Sequence, residues 1–243
     1  MKKVILAAAI VFAGATSANA ESYNRITLSY DRQNFSANSD YTGTYWGWNH
    51  PLNGFGINYF HGFGVAENMF VEVGANMNFG FGSQILYSPV QYAGEWFRQK
   101  LQSHNINLTV PINYVYRINV SDKIKIAPYA GINVKANILG EYRFTYDASI
   151  DKDHFKAPGI VYEPWVNVYS SSEDDMGDRV NTWNRFQMGW QVGVGLELDK
   201  FYLGIQYGTD FIPAYKHTFE YEGYSVQPKV NSQALKVSLG YTF

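Results

Sequence analysis

Apolar and polar residues alternate at every second position through eight separate stretches of this chain, which is the period of a pleated strand and not of a helix. The alternation is cleanest in the last nine residues, where Leu235, Val237, Leu239, Tyr241 and Phe243 interleave with Lys236, Ser238, Gly240 and Thr242. Seven earlier stretches repeat it, at residues 25–33, 54–65, 69–82, 105–119, 123–139, 183–198 and 201–211. In the third of these the odd positions from Met69 to Phe81 are all apolar, and the even ones include Glu72, Asn76, Asn78 and glycines. Tight turns at 66–68, 121–122 and 199–200 alternate strictly with long irregular stretches at 34–53, 83–103, 140–182 and 212–229. The pattern predicts eight antiparallel strands with four long and three short connections.

Polarity decides what surrounds those strands. A soluble eight-stranded barrel keeps apolar residues inside and charges outside. Here Glu72, Arg117, Lys125, Lys135, Arg185, Glu197 and Lys236 all share the glycine-rich face, and the opposite face is a continuous apolar surface. An apolar outside and a charged inside describe a barrel in lipid. The predicted fold is therefore an all-β, eight-stranded antiparallel transmembrane barrel. An even strand count places both termini on the periplasmic side, with the four long connections extracellular and the three turns periplasmic. Parity sends Arg25, Asp31, Glu72, Arg117, Lys125, Lys135, Arg185, Glu197, Asp210 and Lys236 into the lumen, an almost balanced set. So narrow a bore is expected to be plugged by their mutual pairing. Inward glycines such as Gly56, Gly62, Gly64, Gly74, Gly80, Gly189, Gly193 and Gly195 argue the other way, for a wet crevice beside the charges.

The N-terminus and the composition agree with export. Lys2 and Lys3 precede an apolar run from Val4 to Ala13, and Ala18-Asn19-Ala20 supplies a small-residue cleavage pattern, so residues 1–20 read as a signal peptide and 21–243 as the barrel domain. Of the 19 basic residues two lie in that leader, leaving 17 against 21 acidic ones and no basic stripe suited to nucleic acid. The chain has no cysteine, which excludes disulfides, a lipidated cysteine, thiolate catalysis and cysteine zinc sites. Charged residues make up 16% and aromatic ones 17%, too little charge for a surface wholly in water. No apolar run beyond the leader is long enough for a membrane helix.

With the strands placed, LTVPINYVYRI (108–118), PYAGINVKANI (128–138) and LKVSLGYTF (235–243) resemble the small outer-membrane β-barrel family that includes OmpX-like and PorT-like proteins. The resemblance covers essentially the whole mature chain. It implies an outer-membrane location in contact with lipid and lipopolysaccharide, and a terminal aromatic signal, Phe243 with Tyr241, presented to barrel-assembly machinery. It does not choose a function, because one fold hosts many. The expected role is non-enzymatic, structural or surface-interacting through the outer loops, with an envelope or extracellular protein as partner. The alternatives are a small-solute channel, a secretion-machinery component and, last, a lipid A-modifying enzyme.

Candidate chemistry is sparse, and no cofactor is expected. Of the histidines, His50, His104, His154 and His217 fall in or beside loops, and no GxSxG or HExxH pattern accompanies them. His61 falls on the lipid face, as a polar tip near a periplasmic turn. Glu173, Asp174, Asp175 and Asp178 gather hard oxygen donors of the kind calcium takes, but in no EF-hand spacing, and read as a solvated loop tip. Trp46, Trp48, Trp96 and Trp165 are equally suited to a binding platform and to packing the loops. Pro111 and Pro128 each remove a ladder donor, so a bulge or a strained pair is expected there.

Overall fold

The computed structural model describes residues 22–38, 51–85, 97–148, 161–162, 164–170, 183–216, 219–221, 224–226 and 229–243. The proposed signal peptide, the acidic stretch at 173–178, Trp46, Trp48, Trp96, His50, His154 and His217 lie outside them. Eight long strands form the wall: β1 (Ser22–Asn38), β2 (Pro51–Ala66), β3 (Met69–Ile85), β4 (Phe97–Tyr116, resuming at Ile118–Ser121), β5 (Ile124–Ala148), β6 (Phe186–Leu198), β7 (Phe201–Asp210) and β8 (Lys229–Thr242). Each pairs antiparallel with its sequence neighbour, and β8 pairs with β1 from Arg25 opposite Thr242 to Asn38 opposite Lys229, so the barrel is closed. Closure removes every edge within the membrane, as a lipid-embedded sheet requires.

Two of the tight turns carry a residue in the left-handed region, Asn68 at φ 60° and Asp199 at φ 57°. Asn and Asp tolerate that backbone better than other non-glycine residues. The outward face is apolar from strand to strand, with Leu28, Ile57, Ile112, Ile132, Val194, Ile205 and Leu239 all exposed. Aromatic residues bracket this band. Tyr114, Tyr116, Phe201, Tyr241 and Phe243 lie toward the turns, and Phe55, Phe81, Phe186 and Trp190 toward the opposite end.

The terminal residue completes the seam. Phe243 N donates to Asn24 O and Asn24 N to Phe243 O, both at 2.8 Å, and the Phe243 ring stacks beside Tyr241. Deleting Phe243, or replacing it with Asp, is expected to lower the amount of folded, heat-modifiable protein in the outer membrane. Undiminished levels would refute an assembly role for the terminal aromatic.

The strands run further than the alternation predicts. β1 continues to Asn38, β3 reaches Ile85 and β4 starts at Phe97, whereas the run of β5 to Ala148 follows an alternation the sequence does carry, of Tyr142, Phe144 and Tyr146 with Arg143, Thr145 and Asp147. Their ends form a ribbon, to which Val161–Tyr162 and Val166–Asn167 add short pairings along β5. Above the apolar band the outer face of a strand meets water in place of lipid, so the contrast that makes period two visible fades. A β5 bulge contributes as well. Ile106 pairs with Leu139 but Asn107 with Asn137, so Ile138 is an extra residue and the inward and outward positions exchange above it.

The prolines produce gaps and no change of register. Pro111 pairs with Asn133 on β5, while the β3 ladder stops at Val73 opposite Ile112 and resumes at Asn76 opposite Thr109. Pro128 pairs with Val194 on β6, and opposite it β4 breaks at Arg117 and resumes at Ile118. A residue without an N–H interrupts only the ladder its nitrogen faces. The expected bulge at these sites is thus replaced by a short gap in one ladder.

Candidate functional site: the filled lumen

Ion pairing starts at the end of the lumen nearest the turns. Glu72 on β3 accepts from Arg25 on β1, from Tyr23 Oη at 2.8 Å and from Asn113 Nδ2 at 3.1 Å. Arg25 Nη1 lies 3.7 Å from Glu197 Oε1 on β6, and that oxygen also receives Arg117 Nη2 at 2.8 Å and Nε at 3.2 Å. Glu72, Arg25, Glu197 and Arg117 therefore form one chain of alternating charge across the bore, all four buried. Pairing of this kind is what makes ions tolerable inside a protein.

Aromatic rings enclose the chain. The Arg25 guanidinium carbon stands 3.9 Å from the centre of the Tyr202 ring and 5.0 Å from that of Phe60. Arg117 stands 3.7 Å from Tyr23 and 4.6 Å from Phe70. Tyr23 and Phe70 meet edge to face at 5.3 Å, and Val115, Ala127 and Tyr129 complete the cluster. Three of these rings find room over the glycine they face across the ladder, Tyr23 over Gly62, Phe60 over Gly74 and Tyr129 over Gly193, and Tyr202 lies over Gly195 and Gly204. A Cβ on Gly62, Gly74, Gly193 or Gly195 would collide with one of the rings. The inward glycines of this layer are seats for aromatic rings, and the crevice they suggested is filled.

The layer above is built of amides and two further ion pairs. Gln191 Nε2 donates to Asn113 Oδ1 at 2.7 Å, and Gln191 Oε1 accepts from Asn133 and Gln206, both at 3.2 Å. Lys135 pairs with Asp210 at 2.6 Å, and Lys236 lies 3.4 Å from Asp31 while donating to Asn58 and Asn78. At the far mouth Trp183 meets Phe35 and Tyr215 edge to face at 5.8 and 5.6 Å, beside buried Leu52, Ala214 and Val230.

Of the ten lumen residues named from parity, eight enter these pairs. Lys125 faces inward opposite Glu197 at the rim, half-buried, and makes no ion pair among the described residues. Arg185 is a correction: β6 begins one residue later, so Arg185 sits exposed in a bend with its guanidinium 5.0 Å from the Tyr169 ring. Burial pushes the Tyr169 phenol above its ordinary value, opposed by the nearby Arg185 charge.

On the outer wall, His61 Nδ1 bonds Asn24 Oδ1 at 2.8 Å and its ring lies against Phe63 at 4.3 Å. Tyr59 Oη donates to the same Asn24 oxygen, so Nδ1 of His61 is satisfied within the wall. His104 Nε2 lies 2.9 Å from Glu141 Oε2, and among the described residues no hydroxyl side chain hydrogen-bonds this histidine. No group of three metal-ligating side chains occurs among the described residues.

The family model described as "outer membrane protein beta-barrel domain" matches residues 4–243, nearly the full length. The chain belongs to that family. It is an outer-membrane β-barrel, as the apolar outer face and closed sheet require. No curated protein matches it. Among solved structures it is similar to Ail, the attachment invasion locus protein of Yersinia pestis, at 9% identity over 92% of this chain and 99% of that one, with a TM-score of 0.35. It is also similar to OprG of Pseudomonas aeruginosa, at 9% identity over 92% and 97% with a TM-score of 0.40. The Neisserial surface protein A gives 13% identity over 91% and 97%, with a TM-score of 0.34. At this level of likeness none of them speaks to what this barrel does.

The five ring residues were absent from the lumen set read from the sequence. A usable sign was present, since each occupies an inward position and parity alone would have placed it beside the charges.

Proposed function

We propose that this barrel is a non-conducting, non-enzymatic outer-membrane protein whose role is structural or is exercised through the loops at the end opposite the termini. The observation that carries the reading is the buried chain of Glu72, Arg25, Glu197 and Arg117 packed among Tyr23, Phe60, Phe70, Tyr129 and Tyr202. Charges neutralised by one another and covered by rings offer a permeating ion neither a site nor a hydrated path. Reconstituted in planar bilayers, the protein is expected to show no stable conductance. Ohmic steps altered by Glu72→Ala or Arg117→Ala would overturn the reading and favour a small-solute channel.

The non-enzymatic part of the reading is supported by the engagement of the wall histidines with neighbouring side chains, His104 with Glu141 at 2.9 Å and His61 with Asn24 at 2.8 Å. Expression should leave the lipid A mass spectrum of the host unchanged. In this reading residues 1–20 are removed on export, both termini are periplasmic, and the terminal strand with Tyr241 and Phe243 engages the barrel-assembly machinery. The outer loops meet lipopolysaccharide and an envelope or extracellular protein. Labelling of intact cells tests the orientation: a cysteine at Asn68 or Lys200 should be silent, and one at Asn38 reactive. The reverse pattern would invert the topology.

A further inference from the structure

The lipid-facing wall carries a histidine among apolar neighbours. His61 lies on the outer face of β2, with Val73 of β3 on one side and Asn24 of β1 on the other. Phe63, Val71 and Met69 lie between it and the turn at 66–68, and Tyr59, Ile57 and Met77 continue the wall in the other direction. The imidazole is therefore inside the apolar band, short of the headgroup level at either end. A polar atom at that depth finds neither water nor a headgroup, and it is costly without a protein partner.

Half of the polar surface at this point is already used. Asn24 Oδ1 meets His61 Nδ1 at 2.8 Å and accepts from Tyr59 Oη, also at 2.8 Å. With that oxygen as the acceptor, Nδ1 carries the imidazole proton and Nε2 is a bare acceptor. The amide nitrogen of Asn24 keeps its own N–H groups. Neither His61 Nε2 nor Asn24 Nδ2 has a hydrogen-bond partner among the described residues. The wall thus presents one acceptor and one donor side by side, fixed by the bond between their side chains. Exchanging the two atoms of the amide would move the proton to Nε2 and leave the same pair with its roles reversed.

We propose that this notch is the centre of a two-fold contact between two copies of the barrel, in which His61 Nε2 accepts from Asn24 Nδ2 of the partner subunit, and the reverse. Both copies stand the same way up in the membrane, so a two-fold axis along the membrane normal keeps the two notches at one depth. An isologous contact uses one patch twice, and a patch holding one donor and one acceptor satisfies itself. Acyl chains supply neither group. A different protein would have to bring the matching pair, which this chain already carries. Ile26, Tyr59 and Val73 give the notch an apolar rim, so two walls can pack around the polar centre without burying a charge. Hydrogen bonds between side chains join membrane segments in the same way elsewhere.

The test is self-association of the detergent-purified full chain, followed by sedimentation equilibrium over a range of protein-to-detergent ratios. A reversible dimer is expected. His61→Phe keeps a ring beside Phe63 but removes the acceptor, and it should weaken the dimer about tenfold, the size expected when two hydrogen bonds within a membrane are lost together. Tyr30→Phe, which removes an outward hydroxyl bonded to Asn53 elsewhere on the wall, should change nothing. Heat modifiability reports folding. If His61→Phe does not fold, Asn24→Leu removes the donor instead and should weaken the dimer alike. The chain has no cysteine, so Ile26→Cys beside the notch should join two copies through a short bis-maleimide in the outer membrane, and Ile132→Cys on β5 should not. A monomer at every ratio, an undiminished dimer in a folded variant, or equal joining through Ile132→Cys overturns the proposal. Joining of Ile26→Cys only to a different protein would assign the notch to that protein and overturn it as well.

Discussion

Glu72→Leu is expected to lower the stability of the folded barrel by about 3–5 kcal/mol, the cost of leaving one member of a buried pair without its partner. Glu72 accepts from Arg25, Tyr23 and Asn113, so its loss strands a guanidinium among rings and leaves two further donors unanswered. Arg25 retains only the longer contact to Glu197, whose near oxygen already serves Arg117. Unfolding in urea, followed by the mobility shift between folded and unfolded forms, measures the loss. Adding Arg25→Met should recover most of it, because two apolar replacements leave no orphaned charge. If Glu72→Leu is neutral, or the double variant is no more stable than the single, the ionic chain does not hold the lumen together.

Val194→Arg should cost about 2–4 kcal/mol, as a cation does at the lipid face of a barrel near mid-membrane. Val194 is outward and exposed, opposite Ile205 on one side and Pro128 on the other. Val73, across the barrel and paired with Ile112 and His61, should respond in the same direction. Substituting Gln187, which points inward, tests the contrast, since an inward change has no hydrocarbon to meet. A negligible loss at both valines would mean that the two faces of the wall had been exchanged.

The strands and their facing were legible wherever lipid lay on one side and packed lumen on the other. Leu235 to Phe243 alternate without exception, and Met69 to Phe81 with inward Phe70 as the exception, because the environments on their two faces differ most. The extensions at 34–38, 83–85 and 97–103 carry no such contrast, and they read as irregular chain. The bulge at Ile138 left no mark either, since Ile138 and Leu139 side by side look like any apolar pair. Within the lumen the charges were visible and their enclosure was not. Tyr23, Phe60, Phe70, Tyr129 and Tyr202 could be placed by parity, but which glycine a ring covers could not, as with Tyr23 over Gly62, Phe60 over Gly74 and Tyr129 over Gly193. Cross-strand register is a property of the folded sheet. The same limit explains Arg185, whose inward parity assumed a strand that in fact begins at Phe186.

The partners of Arg25 have a consequence for the order in which the barrel is made. From β1 this residue reaches Glu72 through β2 and β3 in one direction, and Glu197 and Tyr202 on β6 and β7 across the seam in the other. Lys236 and Asp31 likewise span β8 and β1. An open, growing sheet therefore leaves the Lys236 ammonium without Asp31, and Arg25 with Glu72 but without Glu197 and the Tyr202 ring, an exposure that the hydrocarbon core disfavours. Curling shut and entering the bilayer are therefore expected to be coupled, with Asp31 meeting Lys236 as the first and last strands join. Weakening the seam pair with Asp31→Asn is then expected to slow closure of β1 onto β8 more than it slows formation of the earlier hairpins.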